Sequence, residues 1–443
     1  MPTVAFQTLG CKVNQYDTQA MLECFERSGY HVVPFSEAAD VYVVNTCTVT
    51  GTGDRKSMNA VRRAKRCNPA ADIVIAGCLA QRDGEALLST GARLIIGANH
   101  RAEVVELLET AQRERRQVVA VGDILRVPFE PLQVSADEGH TRAVMKIQEG
   151  CDRYCTYCII PYVRGGIRSR AIEDIRAEAE RLTAAGYREL VLTGIHLTSY
   201  GRDLGGKTDL ADAIEAAASS GVERIRLGSL EPVIATEAFI ERIRNIPALC
   251  PQFHLALQSG SDAVLRRMRR RYTRQEFLEA ADRLKAAFPG CAVTTDIITG
   301  FPGETEEDFG QSCALVREVG FARIHVFPYS ARKGTPAASM PDQLPRAVCE
   351  ERARTLIQVG RQAAADWART QTGRIRPVLV EDEEDGLYRG YTPEYAPVLV
   401  SGAEPGELVP VRLDAWTGEA FRGTCIRDGS VIESNGLRDI RGS

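Results

Sequence analysis

Three cysteines lie close together in the segment Gly150–Cys158, whose sequence is GCDRYCTYC. Cys151, Cys155 and Cys158 have the spacing C-x3-C-x2-C and follow an apolar run that predicts a strand, so they lie on the loop at its end. Thiolates this close can bind adjacent corners of one iron–sulfur cluster. Because no fourth cysteine is nearby, one iron would keep an open coordination position, as a reactive site requires.

The same loop has two simpler interpretations. It can be read as a zinc knuckle that takes a fourth ligand from elsewhere in the chain, or as three cysteines that only pack. Zinc motifs usually pair two C-x2-C units or include histidine, and no histidine lies in this loop. The spacing therefore favours the cluster.

Three other cysteines are far apart in the chain but occupy similar places. Cys11, Cys47 and Cys78 each follow an apolar run that predicts a strand. In an open parallel sheet the carboxyl ends of the strands line one crevice, where ligands bind. The positions therefore allow a second cluster held from three strands, although buried cysteines used only for packing would give the same pattern.

The elements that would position this second set form an α/β pattern at the N-terminus. Short apolar runs alternate there with amphipathic stretches of helical length, which predicts an open parallel α/β sheet domain of residues 1–112. A charged and polar linker is expected at 113–140. The predicted strands are Val4–Phe6, His31–Pro34, Val41–Val44, Ile73–Ala76 and Leu94–Ile96.

Six further strand–helix units predict a partial (β/α)6 barrel over residues 141–373, because a full barrel would need eight. The predicted strands are Val144–Ile147, Leu190–Leu192, Arg224–Leu227, His254–Leu257, Ala292–Ile298 and Arg323–Phe327. By analogy with complete barrels, polar or flexible residues at their carboxyl ends are candidates for holding a cofactor, although each can also be a turn or cap residue. These candidates are Thr193, Gly194, Ser229, Glu231, Gln258, Ser259 and Asp296.

Residues 374–443 consist of short strand candidates separated by turns, which predicts a small antiparallel β-barrel. The predicted strands are Val378–Glu381, Ala396–Val400 and Leu408–Leu413. This region holds 8 Lys and Arg against 13 Asp and Glu. We therefore do not expect it to attract nucleic acid by bulk charge.

The chain of 443 residues carries a net charge of −4, so it is not a polycation that coats nucleic acid. Local basic runs nevertheless stand out, and three of them in a net-acidic protein favour contacts with RNA phosphates. Such runs are more often solvated helix faces. The first run contains Arg266, Arg267, Arg269, Arg270 and Arg271; the others contain Arg62, Arg63, Lys65 and Arg66, and Arg164, Arg168 and Arg170.

No stretch approaches the roughly 18 uncharged apolar residues of a membrane helix. The N-terminal sequence lacks the basic and then apolar pattern of an export signal. We therefore expect a cytoplasmic protein without a membrane partner, whose thirteen cysteines stay reduced.

The longer string GCDRYCTYCIIPYVRGGIRSR resembles the methylthiotransferase family of the radical S-adenosylmethionine superfamily. So do LTGIHLTSYG, RIRLGSLEP, HLALQSGS, TDIITGFPGETEEDF and HVFPYSARKGTPAA, at the expected places. The N-terminal QTLGCKVNQYDT most resembles the branch that modifies threonylcarbamoyladenosine in tRNA (MtaB type). The region after Gly373 resembles a TRAM domain, a small β-barrel associated with tRNA binding. The resemblance covers nearly the whole chain.

This resemblance implies two 4Fe–4S clusters. Cys151, Cys155 and Cys158 match the ligands of the radical cluster, whose open iron binds S-adenosylmethionine. Tyr157 matches the aromatic residue that the superfamily signature places before the third cysteine, and we count it among the cofactor-binding residues.

Cys11, Cys47 and Cys78 match the ligands of an auxiliary cluster. The implied reaction replaces the hydrogen on carbon 2 of a modified adenosine, at position 37 of tRNA, with a methylthio group. One S-adenosylmethionine methylates sulfur at the auxiliary cluster, and a second yields the deoxyadenosyl radical that abstracts the hydrogen. Since this C–H bond has no acidic proton, a radical cofactor is needed.

The implied partners are tRNA bearing threonylcarbamoyladenosine, an electron donor such as flavodoxin or ferredoxin, and a sulfur source. Two alternatives remain at this point. The same chemistry can act on isopentenyladenosine in tRNA or on a ribosomal protein. A chain from another class, a non-catalytic iron–sulfur or zinc scaffold that binds RNA, would carry metal but produce no deoxyadenosine.

Overall fold

The computed structural model describes residues 1–135, 141–384, 386–427 and 430–431. The predicted fold class is confirmed: an N-terminal parallel α/β sheet is followed by a partial barrel and a small closed β-barrel. No helix in these described ranges is long and apolar enough to cross a membrane.

The N-terminal sheet has the strand order β2-β1-β3-β4-β5-β6, and every pairing is parallel. Its central strand is buried along its whole length, as expected for a sheet covered on both faces. The strands are β1 (Thr3–Thr8), β2 (His31–Val32), β3 (Val41–Thr46), β4 (Asp72–Gly77), β5 (Leu94–Ile96) and β6 (Val118–Ala120). The helices are α1 (Lys12–Arg27), α2 (Gly51–Cys67), α3 (Cys78–Asp83) and α4 (Val104–Arg113).

The segment expected to be a linker contributes β6 to the edge of this sheet. Its later part also packs against the domain, because the Tyr16 hydroxyl donates to the Leu132 carbonyl at 2.9 Å and Arg101 pairs with Glu130 at 2.7 Å. Sequence inspection missed β6 because its three small apolar residues carry too little pattern beside the preceding charged residues Glu114, Arg115 and Arg116.

The central domain contains six parallel strands in the order β7-β9-β10-β11-β12-β13. Single bridges, such as Leu230 to Leu255, join the strands in the middle of this order. The six parallel strands are β7 (Arg142–Glu149), β9 (Glu189–Gly194), β10 (Arg224–Leu227), β11 (Gln252–His254), β12 (Ala292–Thr299) and β13 (Arg323–Pro328). A seventh strand, β8 (Arg168–Ser169), is a short antiparallel partner of β7. β11 begins and ends earlier than predicted, because Leu255 pairs only through that single bridge.

Helices cover the outside of the barrel, and their ends follow local signals. α11, for example, begins at a capping box between Thr305 and Asp308 and ends at Gly320 in the left-handed conformation. The helices are α5 (Ile160–Arg164), α6 (Ile172–Ala184), α7 (Leu210–Ala218), α8 (Glu237–Ile243), α9 (Asp262–Arg267), α10 (Arg274–Ala287), α11 (Glu306–Val319) and α12 (Arg346–Gln371).

The last domain is a five-stranded barrel in the order β16-β15-β14-β17-β18. A parallel pairing of Val398 with Phe421 closes it. The strands are β14 (Ile375–Glu384), β15 (Leu387–Tyr391), β16 (Pro397–Val400), β17 (Leu408–Trp416) and β18 (Phe421–Arg427), with β19 (Ser430–Val431) paired to β18.

Candidate active site

The C-x3-C-x2-C loop begins where β7 ends and is followed by α5. Gly150 has a φ of +73°, and a Cβ on it would lie 1.7 Å from the Gly166 carbonyl oxygen. Only glycine fits this turn, because other residues disfavour positive φ and the added carbon would overlap the backbone. The turn places Cys151 and Cys155 in buried positions, and Cys158 is half-buried.

Burial raises the pKa of the Cys151 thiol to about 11 and that of Cys158 to about 12. Binding iron must therefore displace protons from these thiols. No three His, Cys, Asp or Glu side chains of the described residues are placed to hold a single metal ion. A 4Fe–4S cluster needs no such convergence, because its thiolates bind different irons. The donor set, three thiols within eight residues, suits an iron–sulfur cluster.

Glu231, a predicted strand-end residue, is the centre of a buried cationic cage beside this loop. Its carboxylate forms ion pairs with Arg153 at 2.9 Å and with Arg270 at 2.9 Å, and it lies 3.1 Å from His196 Nε2. Burial opposes ionisation of this carboxyl. The hydrogen bond from His196 and the charges of Arg270 and Arg153 outweigh that effect and lower the pKa of Glu231 to about 2.

Arg270 connects the cage to the cysteines. Its Nη1 donates to Cys155 Sγ at 3.3 Å, and its Nε donates to the Tyr272 hydroxyl at 2.9 Å. The guanidinium is 7% exposed, so it does not lie on a surface that RNA can reach. The interpretation of Arg270 as an RNA contact is therefore corrected. Its side chain points towards the C-x3-C-x2-C loop, where its charge lies against the sulfur of Cys155.

The remaining strand-end candidates lie at the same mouth of the barrel, at the carboxyl ends of β9 to β12. Thr193 and Gly194 end β9, and Ser229 follows β10. Gln258 has a φ of +70°, and its backbone N–H donates to the backbone carbonyl of Asp296 at 2.8 Å. A side chain at Gly194 would meet Gln148 at 2.8 Å, so glycine is required there for close packing.

Three of the predicted residues have evident local roles. Asp296 lies 3.3 Å from His254 Nε2. Ser259 is fully buried, and its hydroxyl accepts from the Ser261 amide at 3.2 Å, which is a turn interaction. Tyr157 packs edge-on against Phe301 with 6.5 Å between ring centroids. The positions of these three residues are compatible with cofactor binding, and their contacts with S-adenosylmethionine stay predictions.

Cys11, Cys47 and Cys78 lie at the carboxyl edge of the N-terminal sheet, as the sequence predicts. Cys11 caps α1, Cys47 follows β3, and Cys78 is the first residue of α3. A Cβ on Gly10 would lie 3.1 Å from Cys47 Sγ, so this thiol sits against the turn that carries Cys11. Burial raises the pKa of Cys78 to about 11, with further contributions from Cys11 and Cys47 nearby. The three cysteines thus lie at one edge of the sheet, and their role as ligands of one cluster stays a prediction.

One fully buried arginine links the two cysteine sets. Arg164, the last residue of α5, donates from Nε to Cys78 Sγ at 3.0 Å. Its Nη1 pairs with Asp17 at 3.0 Å and with Glu149 at 3.1 Å, and its Nη2 donates to Asn14. Asp17 and Asn14 belong to α1, whereas Glu149 immediately precedes the C-x3-C-x2-C loop. Arg164 therefore joins the sheet to the barrel between the two sets.

Apolar and polar contacts close the same junction. Ile159, next to Cys158 in the chain, packs with Val163 against Cys78. On the other side, Arg332 from the segment after β13 donates to the Thr48 carbonyl at 2.6 Å and pairs with Asp54 at 2.9 Å. The cysteine edge of the sheet therefore faces the mouth of the barrel.

The basic runs differ sharply in their placement. Arg164, Arg168 and Arg170 are all buried, so their interpretation as phosphate contacts is wrong. Each lies where a buried acid or carbonyl meets it, for example Arg170 with Glu178 at 2.8 Å. Arg267 is half-buried and donates to the Gly303 carbonyl at 2.7 Å. Arg266, Arg269 and Arg271 are exposed.

Sequence inspection missed Arg153, His196, Arg164 and Arg332 as parts of the site. All four lie in segments already singled out: Arg153 and Arg164 in GCDRYCTYCIIPYVRGGIRSR, His196 in LTGIHLTSYG and Arg332 in HVFPYSARKGTPAA. Their proximity to those motifs was the available signal. The contacts of Arg164 with Cys78 and of Arg332 with Thr48 gave no signal, because these partners are distant in the chain.

Family models match three parts of the chain. The radical SAM superfamily matches residues 145–316, the uncharacterized protein family UPF0004 matches residues 3–97, and the TRAM domain matches residues 369–423. A radical S-adenosylmethionine methyltransferase from Kitasatospora setae, TsrM, superposes with a TM-score of 0.55 over 76% of this chain and 77% of that one. At 16% identity this likeness shows a shared fold.

Several curated relatives match almost end to end. Threonylcarbamoyladenosine tRNA methylthiotransferase MtaB of Bacillus subtilis is 42% identical, covering 93% of this chain and 94% of the relative. The Aquifex aeolicus MtaB is 38% identical over 92% and 99%. The tRNA-2-methylthio-N(6)-dimethylallyladenosine synthase of Parafrankia sp. is 38% identical over 97% and 86%.

Fold and cysteine loop together define a radical S-adenosylmethionine protein with an additional N-terminal sheet domain. With relatives of this identity over nearly the full length, the chain belongs to the tRNA methylthiotransferase family.

Proposed function

We propose that this protein methylthiolates carbon 2 of N6-threonylcarbamoyladenosine at position 37 of tRNA, giving 2-methylthio-N6-threonylcarbamoyladenosine. One observation carries the proposal: Cys78 of the N-terminal set contacts Arg164, Ile159 and Val163 on the segment that directly follows the C-x3-C-x2-C loop, and Arg164 also pairs with Glu149 just before that loop. A reaction that needs a radical and a sulfur donor at one carbon needs such an arrangement. The MtaB relatives support the choice of substrate.

The proposed ligands are Cys151, Cys155 and Cys158 for a radical 4Fe–4S cluster, with S-adenosylmethionine at its open iron. The thiol donors suit iron, and the guanidinium of Arg270 is placed to offset the negative charge of a thiolate-bound cluster. Glu231 holds that guanidinium in place. The strand-end residues at the barrel mouth are the proposed S-adenosylmethionine contacts.

Cys11, Cys47 and Cys78 are the proposed ligands of the auxiliary 4Fe–4S cluster. When bound, the two clusters and S-adenosylmethionine supply the radical that opens the C–H bond and the sulfur that replaces the hydrogen. The chain itself positions the reactants and excludes water. Ile159 and Val163 pack an apolar wall against Cys78, and Arg164 fixes the junction.

The reductant and the sulfur also have to come from outside the chain. We include in the proposal a low-potential electron donor such as flavodoxin or ferredoxin, and a separate sulfur source. The cytosol is the proposed compartment, since all thirteen cysteines are free thiols in the structure.

An anaerobic turnover assay tests the proposal. Reconstituted protein, S-adenosylmethionine and a low-potential reductant are incubated with tRNA bearing threonylcarbamoyladenosine, and the nucleosides are analysed by mass spectrometry. The methylthio product is expected. Deoxyadenosine without that product would indicate another substrate, either isopentenyladenosine in tRNA or a ribosomal protein. Relatives of similar identity are named tRNA-2-methylthio-N(6)-dimethylallyladenosine synthases. If neither product forms from protein in which both clusters are verified, the non-catalytic RNA-binding scaffold is favoured.

Cys155→Ala provides the first specific prediction. Loss of one ligand at the barrel mouth should abolish S-adenosylmethionine cleavage while iron and labile sulfide at the N-terminal set remain. Cys313→Ala is the matched control, because this buried cysteine lies in α11 away from both sets, and it should cleave S-adenosylmethionine at the wild-type rate. Wild-type cleavage by Cys155→Ala would refute the assignment.

A further inference from the structure

Helix α2 is strongly basic in a protein that is acidic overall. It carries six Lys and Arg residues and one acid, Asp54. Asp54 is already bound to Arg82 at 3.0 Å and to Arg332 at 2.9 Å, so it neutralises none of the helix's own cations. The cations are Arg55, Lys56, Arg62, Arg63, Lys65 and Arg66.

These cations have no carboxylate partner within the described part of the chain. Lys65 donates to the Thr90 carbonyl and Arg63 lies over the Phe35 ring at 4.9 Å, but no Asp or Glu pairs with any of the six. Buried arginines elsewhere, such as Arg164 and Arg226, are paired with carboxylates. The contrast marks α2 as a surface with unmatched positive charge.

The charge lines a shallow, open groove between α2 and the end of β1. Lys56, Arg62, Arg63 and Arg66 form one wall, and the other wall comes from the end of β1 with Gln7 and Leu9. The groove has a volume of about 530 Å³, and no acidic side chain lines it. Four of its eight lining residues are cationic, whereas the core of a protein–protein interface is depleted of charge. The lining therefore suits a polyanion better than a protein partner.

The groove also lies next to the proposed reaction site. Leu9 stands two residues before Cys11, and α2 begins four residues after Cys47. The start of α2 touches the barrel-mouth segment, since a Cβ on Gly51 would lie 3.4 Å from Arg332 Nη1. A nucleotide that reaches the junction from solvent would therefore have its neighbouring phosphates beside this groove.

We infer that the α2 groove binds the sugar–phosphate backbone of the RNA substrate. The stretch from Lys56 to Arg66 spans about 15 Å at the rise of an α-helix, which is long enough for several successive phosphates. Such contacts fix register without reading sequence. The inference rests on the proposed function, because it takes the RNA to be the substrate whose base enters the junction.

The test is a triple variant, Lys56→Gln, Arg62→Gln and Arg66→Gln. All three side chains are exposed, and Gln keeps similar helix propensity. Arg63 is left in place because it stacks on Phe35. Filter binding with tRNA bearing threonylcarbamoyladenosine should show a Kd about tenfold weaker or more near physiological salt. The slope of log K against log salt should become shallower by about 2 to 3. In turnover, KM should rise with kcat unchanged.

The matched control removes the same charge elsewhere. Arg113, Arg176 and Arg317 are exposed, lie on α4, α6 and α11, and have no carboxylate partner among the described residues. Their triple change to Gln should leave Kd and salt slope at wild-type values. Equal losses in both triple variants would reduce the effect to net charge and overturn the inference.

Two further outcomes separate this inference from the proposed function. Wild-type product formation together with unchanged binding by the α2 variant would overturn the groove and leave the function standing. Weakened binding by the variant, with no methylthio product from the wild type, would do the reverse. If the variant binds tRNA normally but is reduced slowly by flavodoxin, the groove receives an acidic protein instead and the inference is wrong.

Discussion

Arg270 is the side chain through which charge acts most directly on the cysteine loop. It donates to Cys155 Sγ at 3.3 Å and is held by Glu231 at 2.9 Å. A positive charge and an N–H donor at sulfur favour the reduced form of an iron–sulfur cluster. We therefore expect Arg270→Gln to make the reduction potential of the reconstituted radical cluster more negative, as measured by a redox titration followed by electron paramagnetic resonance.

Two companion variants make this residue-level prediction specific. Arg270→Lys keeps the charge and should shift the potential less than Arg270→Gln. Arg266→Gln removes an exposed charge from the same basic run and should leave the potential unchanged. An unaltered potential in Arg270→Gln would show that the contact with Cys155 has no electrostatic role.

Helix α5 has only five residues, yet it fixes the junction between sheet and barrel. Its last residue, Arg164, is fully buried and pairs with Asp17 and Glu149. Burial opposes ionisation of Asp17, but the charges of Arg101, Lys146 and Arg164 hold its pKa below the usual range. Removing one partner from such a network leaves buried charge uncompensated, at a cost of about 3–5 kcal/mol. Arg164→Met should therefore lower the denaturation midpoint of the apoprotein clearly.

The control for this element is Arg176→Met on the exposed face of α6, which should change stability by no more than about 0.5 kcal/mol. Arg164→Lys keeps one charge and should fall between the wild type and Arg164→Met. A wild-type midpoint in Arg164→Met would mean that Lys146 and Arg101 alone satisfy the acids.

In the whole molecule, a second buried ionic contact holds the closed β-barrel against the base of the central barrel. Glu189 pairs with Arg226 at 2.8 Å and with Arg224 at 2.9 Å. Both arginines also donate to the Thr392 carbonyl, Arg224 at 2.8 Å and Arg226 at 3.4 Å. Burial opposes ionisation, but these charges lower the pKa of Glu189 from 4.5 to about 2. Ionised Glu189 therefore stabilises the folded protein above pH 4.5 by about 3 kcal/mol. This stabilisation is lost as the pH falls from 4.5 towards 2, because the carboxylate becomes protonated.

Glu189→Gln should therefore be destabilised at pH 7, with the difference from the wild type shrinking as the pH falls from 4.5 towards 2. Denaturation midpoints across this range measure the effect. Glu223→Gln is the control, because that carboxylate is half-exposed in a pair with Arg188. A difference that stays constant with pH would contradict the assignment of the charge.

Most of the architecture follows from short-range patterns. The period of strands and helices predicted the parallel sheet, the six barrel units and the final small barrel, because a buried parallel strand needs a continuous apolar run and each crossover needs a helix. β6 escaped prediction because three small residues carry too little pattern. Strand-end logic also placed Cys11, Cys47 and Cys78 at one edge of the sheet, since the carboxyl ends of parallel strands share it.

The sequence by itself determined which atoms are available for chemistry: six cysteines in two sets, an alternation of strands and helices that puts them at strand ends, and a family pattern that implies their use. The roles of the arginines were decided only by tertiary structure. Arg62, Arg164 and Arg270 stand in similar basic runs, yet one is exposed, one bonds Cys78 and one bonds Cys155. The physical reason is that burying a guanidinium costs desolvation, which for Arg164 and Arg270 is compensated by carboxylates on other elements, here Asp17, Glu149 and Glu231.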